Sequence, residues 1–236
     1  MVLLERFAKN NNISIHYLES MDLNFDLIPL VYVPGVLGFA EQFEDEMKVL
    51  TPRRCISLRG RGKSDAPLKG YNLEQHVSDI KSVVENSGIK EYYLMAYSMG
   101  VPYAIKFASE NPKQIKGLIL CDYQARYPSI PESWVEGVIS RGYIKEDRHH
   151  VVRGIQLDSK ETYLMDELKK ITCPVLVIKG GTEQSLLKND ATEKYKSHLR
   201  NVQIVEFSDS GHELWIPDYD RFMNKIGQFL EKIDKE

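Results

Sequence analysis

The sequence predicts an α/β fold: a mostly parallel central sheet flanked by helices on both faces, with a short helical insertion. Three observations predict it. Short apolar runs alternate with segments of helical period, as strand–helix–strand units do. The runs are near-continuously apolar, as strands covered on both faces are. One stretch, residues 124–160, breaks this rhythm with helical patterns and no convincing strand up to about residue 170.

In chain order, ISIHYLES (13–20) reads as an early strand and LIPLVYVPG (27–35) as an apolar run stopped by Pro-Gly. AEQFEDEMKVL (40–50) reads as a helix and RCISLRG (54–60) as the next strand. Leu73, Val77, Ile80 and Val84 then recur at helical spacing, with Asn72 as N-cap and Gly88 as stop. YYLMAYS (92–98), GLILCDY (117–123), PVLVIKG (174–180) and VQIVEFSDSG (202–211) are the remaining strands. Phe222, Ile226, Phe229, Leu230 and Ile233 form one apolar stripe on a final helix. Residues 1–123 and 161–236 are thus expected to form one core, and 124–160 an insertion over the sheet edge rather than an independent domain.

The 236 residues suffice for one sizeable core. A net charge of −3 gives no electrostatic case for nucleic acid or an anionic membrane. No apolar run is long enough to span a bilayer, and the opening MVLL is too short for a signal peptide, with Glu5 and Arg6 directly behind it. Cys55, Cys121 and Cys173 form no close pair, so a reducing, cytoplasmic setting and buried structural thiols are expected, without a zinc site or a cysteine nucleophile.

The chemistry gathers where strands end. In YLMAYSMGVPYA (93–104) a strand turns abruptly into a helix, and Ser98 stands on the corner. Ala96-Tyr97-Ser98-Met99-Gly100 is close to the Gly-x-Ser-x-Gly nucleophile elbow, where small neighbours permit a tight turn. Pro102 sits in the first helical turn, where its missing N–H is tolerated.

A serine hydroxyl needs a base. Of six histidines, His212 alone lies in a loop between the last strand and the last helix, opening on the edge that carries Ser98. The imidazole needs an anion. Glu183, three residues past Gly180, is the preferred acid, and the chain order Ser, acid, His agrees with it; Asp122 at the end of LILCD is the competitor. An oxyanion needs two fixed donors. The Met99 amide is one, and the Val36 amide in Pro34-Gly35-Val36-Leu37-Gly38 is the other.

With these residues in place the chain resembles the α/β-hydrolase superfamily over nearly its full length. Pro34-Gly35-Val36-Leu37-Gly38 stands where the family has a His-Gly oxyanion loop, with proline in the histidine position. Arg59-Gly60-Arg61-Gly62-Lys63-Ser64-Asp65 is similar to the family's structural Arg-Gly-x-Gly-x-Ser turn. The resemblance implies a serine hydrolase with a small cap, needing no cofactor or metal, that cleaves a small ester, lactone or related carbonyl compound through an acyl-enzyme, as a carboxylesterase does. Substrate contacts are expected from Tyr97 and from the insertion and its base: Tyr123, Arg126, Trp134 and Arg153, whose arginines would suit a carboxylate. A small-molecule substrate is the expected partner, with no nucleic acid and no membrane. Two alternatives stay open: a lyase or carbon–carbon-cleaving member of the fold acting on a small carboxylated substrate, and a ligand-binding protein without turnover.

Overall fold

The computed structural model describes residues 2–21, 27–50 and 53–235. In chain order the elements are β1 (Val2–Asn10), β2 (Ile13–Met21), β3 (Leu30–Val33), a 3-10 turn (Ala40–Phe43) running into α1 (Glu44–Val49), β4 (Arg53–Ile56), α2 (Leu73–Ser87) and β5 (Tyr92–Tyr97). There follow α3 (Gly100–Glu110), β6 (Ile115–Cys121), β7 (Arg126–Tyr127), α4 (Glu132–Ser140), α5 (His149–Asp158), β8 (Thr162–Tyr163), α6 (Met165–Leu168), β9 (Val175–Gly180), α7 (Asn189–His198), β10 (Val202–Phe207) and α8 (Tyr219–Asp234).

Eight strands form one sheet in the order β1-β2-β4-β3-β5-β6-β9-β10. From β4 to β10 every pairing is parallel; β2 is antiparallel to both β1 and β4. The continuous apolar runs have a direct cause. Val31, Val33, Leu94, Ala96, Leu118, Leu120, Val175 and Val177 face one layer with α2 and α3. Leu30, Tyr32, Tyr93, Met95, Ile119, Cys121, Leu176 and Ile178 face the other, with Met47 of α1 and Phe222, Met223, Ile226 and Phe229 of α8. Side chains alternate along a strand, so only a sheet covered on both faces needs apolar residues at every position.

The helix ends follow local chemistry. The Asn72 side chain accepts from the Gln75 amide at 3.0 Å while Gln75 accepts from the Asn72 amide at 3.1 Å, a reciprocal capping box. Gly88 closes α2 at φ 67°, where a Cβ is penalised. Beneath that helix, Asp79 is fully buried and accepts from Arg59 Nε, Nη2 and amide and from Asn10 Nδ2, which ties β1, the loop after β4 and α2 together.

Two features differ from expectation. β1 is an added strand, paired to β2 through a tight turn at Asn11 (φ 52°) and Asn12. The stretch after β6 also contains strand: Arg126 pairs with Tyr163 and Tyr127 with Thr162, a two-residue ladder closing the base of the insertion. Two residues are too few to leave a period in the sequence. Among the described residues no helix is long and apolar enough to cross a membrane.

Candidate active site

Ser98 leaves β5 with φ 53°, a left-handed conformation that costs a non-glycine residue about 1–3 kcal/mol. The surroundings hold it there. The turn into α3 passes so close to the end of β3 that a Cβ on Gly100 would lie 2.6 Å from the carbonyl oxygens of Val33 and Pro34. A Cβ on Gly35 would come within 3.2 Å of Ser98 Cβ, so the loop after β3 lies against the serine. Ala96 is fully buried, and its methyl belongs to the core layer under α3.

His212 reaches Ser98 from a distant strand. β10 is three positions from β5 in the sheet, and the loop after it crosses back over the end of β9. That crossing needs Gly180, where a Cβ would sit 2.3 Å from the Gly211 carbonyl oxygen and 2.7 Å from that of Ser210. The imidazole then lies with Nε2 2.9 Å from Ser98 Oγ and Nδ1 2.8 Å from Asp122 Oδ2. A carboxylate only accepts, so Nδ1 carries the proton and Nε2 is left to accept from the hydroxyl. Tyr97 stacks on the His212 ring at 4.8 Å, and Trp215 packs edge-on against Tyr97 at 5.1 Å. Burial above all, with the Glu213 and Asp122 charges behind it, pushes the Tyr97 phenol far up, so it stays neutral.

The carboxylate at His212 is therefore Asp122, which corrects the preference for Glu183. Asp122 is fully buried at the end of β6, with φ 47°. Its Oδ1 accepts from the Gly180 amide at 3.0 Å and Ser185 Oγ at 2.6 Å; its Oδ2 accepts from the Leu186 amide at 2.9 Å and from His212. Burial alone would raise its pKa, but the hydrogen bonds from His212, Ser185, Leu186 and Gly180 outweigh burial and hold the carboxyl below its ordinary value. Glu183 is exposed, and its backbone carbonyl accepts from Lys188 Nζ. The loop after β9 supplies donors to the acid rather than the acid itself. Nothing in the local sequence singles out Ser185 or Leu186; only their hydrogen bonds to Asp122 mark them out.

The turn Gly35–Gly38, closed by a 3.0 Å amide–carbonyl bond, presents Val36 beside Ser98. Neither the Val36 nor the Met99 amide donates to another group among the described residues. Arg61, 4% exposed, donates from Nε to the Val36 carbonyl at 2.8 Å and from Nη1 to the Arg59 carbonyl; its Nη2 has no hydrogen-bond partner among the described residues. The turn read as scaffold thus also grips the loop above the serine.

A cavity of about 450 Å³ opens beside Ser98 between α1 and α8, with Tyr32, Phe43, Tyr97, Trp215 and Phe222 among its walls. Of the expected substrate contacts only Tyr97 lines it. Tyr123 Oη points to Met99 Sδ at 3.7 Å, Arg126 pairs with Glu161 at 2.9 Å, Trp134 on α4 packs against the cluster of Val135, Val138 and Val152, and Arg153 is exposed on α5. The reason is topological: the insertion settles on the α2–α3 face, while the cavity lies on the other. Glu5, His16 and Glu41 bring possible metal ligands within 4.8 Å, but Lys63 already pairs with Glu5 and Ser57 Oγ lies 3.1 Å from His16 Nδ1. None of the three lines the cavity. Burial raises the Cys121 thiol far above its ordinary value and the Cys173 thiol to about 12, so neither is poised as a thiolate.

A doubly covered parallel sheet with a serine on a strand-to-helix corner defines a class, and the sequence agrees: residues 28–147 match the family described as the alpha/beta hydrolase fold. The chain belongs to that family. An AB hydrolase superfamily protein of Bacillus subtilis is 23% identical over 85% of this chain and 91% of its own. A putative 2-succinyl-6-hydroxy-2,4-cyclohexadiene-1-carboxylate synthase of the same organism is 34% identical over 69% of this chain and 54% of its own. In fold, the chain is similar to the enol-lactonase of Burkholderia xenovorans, with a TM-score of 0.79 at 18% identity over 96% of this chain and 100% of the other.

Proposed function

We propose that this chain is a serine hydrolase that cleaves a small ester, lactone or related carbonyl compound. The observation that carries the reading is the unbroken line Asp122 Oδ2–His212 Nδ1 and His212 Nε2–Ser98 Oγ, at 2.8 and 2.9 Å. Ser98 Oγ attacks the carbonyl carbon while His212 Nε2 takes its proton. The carbonyl oxygen becomes an oxyanion beneath the Val36 and Met99 amides, and Asp122 stabilises the imidazolium. His212 then protonates the departing oxygen, leaving an acyl-Ser98 ester. Water, deprotonated by His212, releases the acid and restores the hydroxyl.

A fluorophosphonate probe tests this directly. Wild type is expected to carry a covalent adduct; Ser98→Ala is expected to carry none, and His212→Ala to react at least about a hundredfold more slowly. A folded wild type that does not react at all would refute the activated serine. A second reading takes its support from the putative carboxylate synthase at 34% identity: a lyase or carbon–carbon-cleaving reaction on a small carboxylated substrate. Turnover of simple esters that depends on Ser98 separates the first reading from the second.

A further inference from the structure

We propose that the cavity beside Ser98 selects by charge: it accepts an apolar group bearing an ammonium, then a neutral one, and turns carboxylates away, with Glu46 and Glu213 as specificity-determining residues. This rests on Ser98 as the nucleophile. Two independent features of the walls point the same way. The first is the charge count. Glu46 of α1 and Glu213, next to His212, line the cavity, and among the described residues no lysine, arginine or histidine side chain does. Among the described residues neither carboxylate forms an ion pair that would neutralise it. Arg126 pairs with Glu161, Arg148 donates to the Ser64 carbonyl and Arg61 to the Val36 and Arg59 carbonyls, and Arg153 is exposed on α5; none of the four lines the cavity.

The second feature is aromatic. Tyr32 meets Phe43 edge-on at 4.7 Å, Tyr97 meets Trp215 at 5.1 Å, and Trp215 meets Phe222 at 6.1 Å, all of them lining the space. Ring faces attract an alkylammonium and offer nothing to a carboxylate. An aromatic cavity with two open carboxylates and no fixed cation is chemistry for a cationic or neutral amphiphile. At about 450 Å³ it holds a group of ordinary small-ligand size.

The test compares three butanoate esters on the same two-carbon spacer: the choline ester, its carbon isostere 3,3-dimethylbutyl butanoate, and the butanoate ester of 3-hydroxypropanoate, each followed by acid release in a pH-stat at low salt. The expected kcat/KM falls in that order, with choline over carboxylate by at least about tenfold. The ratio is expected to shrink towards one in Glu46→Gln/Glu213→Gln and, because exposed charges are screened, in high salt. A carboxylate ester turned over as fast as the choline ester, or a ratio untouched by the double substitution, would overturn the proposal. If no ester is cleaved and Ser98 stays unlabelled, the hydrolase reading fails, and the cavity is still decided by binding. Trp215 fluorescence in Trp134→Phe protein is then titrated with butyltrimethylammonium and with pentanoate. Tighter ammonium binding, lost in the double variant, upholds the charge selection; equal or tighter pentanoate binding ends it.

Discussion

Four donors converge on the Asp122 carboxylate, and this decides what one side chain does. The Gly180 amide, Ser185 Oγ, the Leu186 amide and His212 Nδ1 leave it ionised in a fully buried place. Asp122→Asn keeps the shape but reverses the polarity toward His212, so Nδ1 gives up its proton and Nε2 can no longer act as base. The ester hydrolysis rate is expected to fall by about 10⁴, whereas Glu183→Gln stays within about twofold; the reverse pattern in steady-state kinetics would reinstate Glu183. Asp122 also leaves a signature in acid. Its folded pKa lies below the unfolded value of about 3.9. Its ionised form therefore adds stability above that value, and the contribution fades as pH falls through the folded pKa. The Tm gap between wild type and Asp122→Asn is expected to narrow below about pH 4; a gap constant from pH 7 to pH 3 would contradict the lowered pKa. The difficulty in choosing the acid from sequence has the same root. Asp122 and Glu183 both follow a strand and both keep the order Ser, acid, His. What separates them is a set of donors 58 to 90 residues away from Asp122, and no local pattern encodes it. The neighbourhood of Ser98 is legible because a sharp strand-to-helix corner makes its demands within five residues.

At the scale of elements, the site depends on how the end of β9 is built. A side chain at residue 180 would meet the Gly211 and Ser210 carbonyl oxygens, which are backbone and cannot rotate aside. Gly180→Ala is expected to cost about 1–3 kcal/mol and, by lifting the loop that carries His212, to slow fluorophosphonate labelling at least about tenfold. Gly137→Ala in α4 is the control. Nothing lies within 4 Å of its added Cβ, and alanine favours a helix over glycine by up to about 1 kcal/mol. If Gly180→Ala labels at the wild-type rate, the crossing over β9 is not what positions the histidine. The same scale explains which elements the sequence shows. The parallel strands are legible because burial on both faces writes an unbroken apolar run. β1 is harder to see, since Phe7 is exposed and Ala8 buried along an edge strand; its signal is the Asn11-Asn12 turn. β7 and β8 exist through pairing with each other and have no periodicity of their own.

At the scale of the molecule the question is whether residues 124–160 behave as a moving cap or as part of the body. They are fastened at several points. Asp158 Oδ2 accepts from the Tyr71 amide at 2.7 Å and the Gly70 amide at 3.1 Å, and His150 Nε2 lies 3.1 Å from the Ala66 carbonyl oxygen. Tyr71 is fully buried, and a Cβ on Gly154 would lie 2.5 Å from its ring, so α5 sits in contact with it. Val151 and Ile155 belong to the same apolar layer as α2 and α3. An element with this much shared core opens only by exposing that core, so it is expected to unfold with the sheet. Asp158→Ala strands two backbone donors and is expected to cost about 2 kcal/mol, a fall of about 4–8 °C in Tm at about 2–4 °C per kcal/mol, within a single transition. Hydrogen exchange gives the sharper reading. If the insertion is part of the body, the amides of α5 are protected like those of α3, and Asp158→Ala weakens both together. Loop-like exchange in α5 while α3 stays protected would mean instead that the insertion moves as a lid. Access to Ser98 would then be gated from the α2–α3 face as well as through the cavity between α1 and α8.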